Sequence, residues 1–303
     1  MTLAQLVQAA CNELGLTAPN AVIGATDQQT IQLLALLNGL GNQLVSDYEW
    51  QKISKTHTFT LATLSLTGTT TSGSAIITGI SSTTGIVADT WQVTGTGIPE
   101  DTYVDSVDSA TQVTMNQDAT DSGTVTLTFT QTIYDLPSDW NFQINRTHWD
   151  RTNHWELIGP ESPQAWQYLK GGIIASGPRV RYRILANKFQ IWPLAVSESN
   201  LAYEYISTSW IYAAAATSPT KSAFTVDTDT TIFRDRLMIT GLKLRFWEIK
   251  GFDTTALERA YNMELEKEKG QDKGAPTLSL SPRFGNIFIG PQNVPDGTVY
   301  GQP

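Results

Sequence analysis

The chain has 303 residues, 40% hydrophobic and only 16% charged, with 29 acids against 20 bases and a net charge of −9. That length suits two domains better than one, and the acidic balance argues against a general nucleic-acid binder, which needs a basic face to neutralise phosphates. No apolar run approaches the roughly 18 residues of a membrane span, the N-terminus lacks the basic start and apolar core of a signal peptide, and the single cysteine, Cys11, excludes an intrachain disulfide and a cysteine metal cluster.

The first 50 residues read as two helices. Thr2 and Gln5 have capping-box spacing, and Leu3, Leu6, Val7, Ala10 and Leu14 form one apolar stripe that Gly15 ends. Thr26 or Asp27 caps a second helix with Ile31, Leu34, Leu37, Leu44, Val45 and Tyr48 on its apolar face. Gly39 and Gly41 in that helix predict close approach of a neighbouring helix.

His57–Leu61 reads as a strand. From Thr56 to Asn145 there is no Lys or Arg, and nine acids fall there: Asp89, Glu100, Asp101, Asp105, Asp108, Asp118, Asp121, Asp135 and Asp139. The remaining acids balance all 20 bases, so this block carries the whole net charge. Within it, residues 62–130 are rich in Ser and Thr and alternate in short bursts (SAIITGI, WQVTGTGI, TYVDSV, TQVTM, TVTLTFT) separated by turn residues. These features predict an inserted all-β domain, sandwich- or barrel-like. The flanking strands, HTFTL and QTIYDL, are expected to pair as a hairpin carrying the insert.

Antiparallel strands follow at RVRYRIL and KFQIWPL, with a turn at Ala186–Asn187, and at NLAYEYISTSWI. Between them Ser162 and Pro163 open a short helix. Asp229 or Thr230 caps a third long helix through Lys250, stopped by Gly251. Asp253 caps a fourth, to Gly270, with Glu264, Lys267 and Glu268 on a solvated face. From Gly270 onward the chain is rich in Pro and Gly yet keeps TLSLS and NIFIG, which predicts an extended arm docking on another subunit through Leu278, Leu280, Phe284, Ile287, Phe288 and Ile289. The fold class is thus α+β: a helical bundle from both ends of the chain plus an antiparallel β region (1–61 and 131–270), an inserted all-β domain (62–130) and a C-terminal arm (271–303).

No motif demands catalysis: there is no P-loop, GxSxG or HExxH. His148, Asp150 and His154 could meet a metal, but their spacing on a segment that is not clearly helical favours a loop of packed aromatic and guanidinium groups. Glu100–Asp101, Asp118 and Asp121 lie in turns and read as solvated, not as a glycosidase pair. Cys11 reads as a buried structural thiol. Trp140, Trp149, Trp155, Trp166, Trp192 and Trp210 suit packing better than a sugar platform. No catalytic residue, cofactor or metal is expected.

Several stretches, in order, carry a resemblance: LAQLVQAACNELGL, DQQTIQLLALLNGLGNQLVSDYEWQ, HTFTL, YDLPSDWNFQINRTHWDRTNHWELIGPESPQAWQYLKGG, RYRILANKFQIWPL, LAYEYIS, FRDRLMITGLKLRFWEIKG and GAPTLSLSPR. Together they resemble the head-to-tail adaptor (connector) proteins of tailed bacteriophages, of the tail-tubular-A-like or packaged-DNA-stabilising kind, over 1–61 and 131–282. Residues 62–130 depart from the minimal pattern and resemble Thr/Gly-rich β modules of phage structural proteins. The resemblance implies a ring, commonly a dodecamer, below the portal protein. Such a ring contacts a tail nozzle or tube protein, extends the channel through which genome DNA passes without specific binding, and reaches the portal with its C-terminal segments. It implies a virion protein assembled in the host cytoplasm, with no membrane partner. The rival expectation is a virion-associated glycan-binding or peptidoglycan-hydrolysing tail protein.

Overall fold

The computed structural model describes residues 1–171, 180–192 and 198–272; the arm residues from Leu278 to Ile289 lie outside them. In chain order come α1 (Leu3–Leu14), α2 (Gln28–Asp47), β1 (Ser54–Thr60), β2 (Thr63–Thr70), β3 (Ile76–Ile77), β4 (Trp91–Gly95), β5 (Val104–Ser109), β6 (Gln112–Met115) and β7 (Gly123–Gln131). Then follow β8 (Ile133–Asp135), β9 (Trp140–Gln143), β10 (Trp149–Asp150), β11 (Trp155–Glu156), α3 (Pro163–Gly171), β12 (Arg181–Leu185), β13 (Lys188–Trp192) and β14 (Asn200–Ser207). Last are β15 (Ile211–Tyr212), β16 (Thr230–Thr231), α4 (Asp235–Lys250) and α5 (Thr255–Asp272). The architecture is mixed α+β with antiparallel sheets. Two compact units result: one gathers 1–55, 138–144 and the chain from 204 through α5, and the other gathers 56–137 and 145–203.

In the helical unit, α1 starts on the expected Thr2–Gln5 capping box, and Gly15 ends it at φ 71°. Asp27 caps α2 by accepting from the Thr30 N–H at 2.9 Å. The buried face of α2 is Thr30, Leu33, Leu37, Leu40, Gly41, Leu44 and Val45, and Ile31 is 44% exposed. A leucine-rich helix offers two overlapping stripes at helical spacing, and packing selected the one carrying Gly41. A Cβ on Gly41 would lie 2.1 Å from the Trp210 indole, whereas Gly39 faces open space. The close approach is therefore to a tryptophan; the helix-to-helix approach is at Gly241 of α4, where a Cβ would lie 2.6 Å from Leu40.

The third long helix begins later than expected. Thr230–Thr231 pair with β15, and α4 starts only at Asp235. Asp229 caps no helix. It is buried and accepts from the Lys221 ammonium at 2.8 Å and from the Thr225 and Val226 N–H groups at 3.0 Å, so it fastens its own loop. Gly251 ends α4 at φ 75°, and Asp253 accepts from Thr255 at the start of α5. α5 runs through Gly270 to Asp272, whose carboxylate accepts from the Gln51 and Lys52 N–H groups. Glu268 is not on a solvated face. It is 3% exposed and pairs with Lys52 and, at 3.2 Å, with Arg234.

In the other unit, β1 pairs with β14 and β8 pairs with β13, so the expected hairpin of HTFTL with QTIYDL does not form. The insert closes on itself instead. β2, which the bursts did not include, pairs with β7 over eight residue pairs from Thr63↔Thr130 to Thr70↔Gly123. Its two sheets, ordered β2-β7-β4 and β3-β6-β5, are stitched by bridges at Thr69↔Thr78 and Gln92↔Tyr103. The arrangement is barrel-like, and its core (Ile77, Ile80, Val93, Val104, Val113, Leu127 and Phe129 among others) comes from within 62–130. Elsewhere β12 and β13 form the expected hairpin, with Ala186 and Asn187 at φ 50° and 57°, as a tight two-residue turn requires. The Ser162 hydroxyl caps α3 at the Ala165 N–H, 3.1 Å.

Candidate interaction surfaces and polar clusters

The segment 145–156 puts His148, Asp150 and His154 to different structural uses. His148 is 1% exposed and stacks on Tyr182, with centroids 4.2 Å apart, and on Tyr203 and Phe189 at 5.2 and 6.0 Å. Its Nδ1 lies 3.1 Å from the Tyr182 hydroxyl, while its Nε2 has no hydrogen-bond partner among the described residues. Burial pulls its pKa down to about 4, so it is neutral at pH 7. Asp150 is spent on its own turn, accepting from Thr152, Asn153 N–H and the Asn153 amide at 2.9, 3.0 and 2.8 Å. His154 is exposed at φ 56°. Among the described residues no group of three His, Cys, Asp or Glu could hold a metal ion.

Glu100, Asp118 and Asp121 are exposed, as turn acids are. Asp101 differs: its Oδ1 accepts from the Gln92 amide at 2.5 Å and the Lys170 ammonium at 3.0 Å, and that ammonium sits 5.6 Å from the Trp192 ring centroid. This clamp fixes the β4–β5 loop to α3. Of the six candidate tryptophans, Trp166, Trp192 and Trp210 are buried, Trp140 stacks on Tyr205 at 5.5 Å, and Trp149 and Trp155 lie half-buried on the paired strands β10 and β11. Cys11 is buried, and desolvation pushes its thiol pKa up.

Two polar clusters escaped the sequence reading. Asp139 accepts from Lys55, Tyr205 and Ser207 at 2.6, 2.7 and 2.6 Å. Burial opposes its ionisation, but these hydrogen bonds and the Lys55 charge hold its pKa below the usual carboxylate value; burial, and then the Asp139 carboxylate, push the Tyr205 phenol up. Asp227 accepts from Val22 and Ile23 N–H groups some 200 positions away. Neither carries a local motif, because the partners are remote in sequence.

No known family model matches the chain, and no curated protein matches it. At the end of α4, Ile249 is 55% exposed and Phe252 60%, and Trp247 meets Phe252 edge-on at 5.8 Å; Met263, farther along α5, is 55% exposed. Exposed apolar side chains that cluster mark contact surfaces more often than singly scattered ones do.

Proposed function

We propose that the chain is a structural head-to-tail adaptor of a tailed phage virion, acting as a ring below the portal, with no catalytic step. The sequence resemblance motivates this reading. The observation that carries it is the helical unit built from both ends of the chain, which exposes Ile249 and Phe252 at the end of α4 and Met263 on α5. On this reading these apolar side chains pack against the neighbouring copy, a modest contact that adds up because it is repeated around the ring. The partners are the portal protein, a tail nozzle or tube protein and further copies of itself, twelve in the family's common arrangement; DNA crosses the channel past an acidic wall without specific binding. The insert folds on its own core and is proposed as an added β domain.

Native mass measurement of the chain mixed with its portal tests the reading: a ring is expected, and a persistent monomer overturns it. The double variant Ile287→Asp/Ile289→Asp is expected to abolish joining to the portal while leaving circular dichroism unchanged, because an apolar strand segment cannot be buried with two charges.

A further inference from the structure

Among the described residues the insert has an open edge along β2. Ala62 accepts from the Gln131 N–H at 2.9 Å, so Ala62, Leu64, Leu66 and Gly68 aim their backbone groups at β7. Thr63, Ser65, Thr67 and Thr69 therefore aim theirs away. Thr69 exchanges both bonds with Thr78, at 2.7 and 3.0 Å, but among the described residues Thr63, Ser65 and Thr67 have no partner on that side. The opposite edge of the same sheet is covered, with Val93 bonded to Thr102 at 2.9 Å. Leu64 and Leu66 pack against the insert's core yet stay only half-buried. β2 itself holds no Lys, Pro or bulge, three of the devices that blunt an edge strand.

We propose that this edge accepts the segment Thr277–Ser281 of a second copy of the chain, a step that rests on the ring reading above. Thr277-Leu278-Ser279-Leu280 repeats Thr63-Leu64-Ser65-Leu66 residue for residue. Pro276 and Pro282 bound it, so it can offer a five-residue strand to a five-residue edge. Laid antiparallel with Ser279 opposite Ser65, it sets Leu280 beside Leu64 and Leu278 beside Leu66, completing the half-buried apolar face, and leaves Ser and Thr on the outer face. Lys273 and Arg283 flank it, and the block from Thr56 to Asn145 that contains the edge holds nine acids and no base. Opposite charge thus favours the same pairing.

The test is the full chain with Ser65→Cys and Ser279→Cys, oxidised under assembling conditions, Cys11 being buried. Disulfide-linked multimers from the double variant and none from either single variant are expected. A monomer with an internal disulfide overturns the choice of a second copy, and dimers from Ser65→Cys alone show the edge pairing with itself. A ring by native mass with no cross-link overturns this proposal alone; neither ring nor cross-link overturns the ring reading as well. Ser65→Pro removes an outward N–H that the monomer does not use, and Ser279→Pro does the same to the incoming strand. Each is expected to leave circular dichroism unchanged and weaken self-association by about tenfold or more, the equivalent of one or two backbone hydrogen bonds. Unchanged association in both sinks the proposal.

Discussion

The helical unit holds its buried carboxylates with cations, whereas the β unit holds Asp150 with neutral N–H donors and encloses a histidine among aromatic rings. The helical unit buries two carboxylates and pairs each with cations, Glu268 with Lys52 and Arg234 and Asp229 with Lys221, and half-buries Asp139 against Lys55. The β unit buries an imidazole, His148, among Tyr182, Phe189 and Tyr203, with one ring nitrogen lacking a hydrogen-bond partner among the described residues. A paired carboxylate stabilises its surroundings while ionised, and an enclosed imidazole does so while neutral. The two units are therefore expected to respond to different perturbations and to different ranges of pH.

The largest effect is expected in the helical unit. Trp210 is fully buried, fills the space above Gly41 and donates to the Asn42 side chain at 2.9 Å and the Ser222 carbonyl at 3.0 Å. Trp210→Ala should cost about 3–5 kcal/mol, read by denaturant unfolding followed by hydrogen exchange in α2 and α4. Protection lost first in β12–β14 would contradict the division into separate cores.

Acid should strike the β unit first. The folded pKa of His148 is about 4, below the unfolded value near 6.5. The unfolded state therefore binds the proton first, and stability falls as pH drops from about 7 to about 4, by about 3 kcal/mol in all. The lowered carboxylates Asp139 and Asp229 act in a lower window: their stabilisation is present above the usual carboxylate value and is lost as pH falls below it. Hydrogen exchange at pH 5 against pH 7 should show the aromatic core of the β unit loosening before α4 and α5, and His148→Phe should flatten that dependence.

Smaller effects sharpen the contrast. Glu268→Ala strands Lys52 and Arg234, both partly solvated, and should cost about 1–3 kcal/mol in thermal unfolding. Ser162→Ala removes the α3 cap and should cost about 1 kcal/mol, seen as faster exchange in 163–171 alone. Lys170→Ala breaks a half-exposed pair and should change stability by under about 1 kcal/mol. Its signature is exchange in the β4–β5 loop rather than a shift in the unfolding midpoint.

Local signals were legible wherever the chemistry is local. The Thr2–Gln5 box, the Gly15 and Gly251 stops, the Ser162 cap and the Ala186–Asn187 turn all depend on groups within four residues, and each stands as read. The polar clusters were illegible for the converse reason. Asp229 has the residue type of a cap, but Lys221 and a tight loop claimed its carboxylate, and β15 drew Thr230 out of the helix. Glu268 lies in a charged run and reads as solvated until Lys52 and Arg234, more than thirty positions away on either account, close over it.

By itself the amino-acid order determined the α+β class, the five α-helices, most of the longer strands other than β2, and the composition boundary around the insert, because periodicity, capping and turn chemistry act over one or two turns of backbone. Only the tertiary structure decided the rest. Both leucine stripes of α2 satisfy the helical period, and the Trp210 indole over Gly41 chose between them. Both HTFTL and QTIYDL can pair with anything extended, and β14 and β13 claimed them instead of each other. Strand partners and buried faces are chosen by which surfaces fill space together, and that is a property of the whole packed chain rather than of any segment in it.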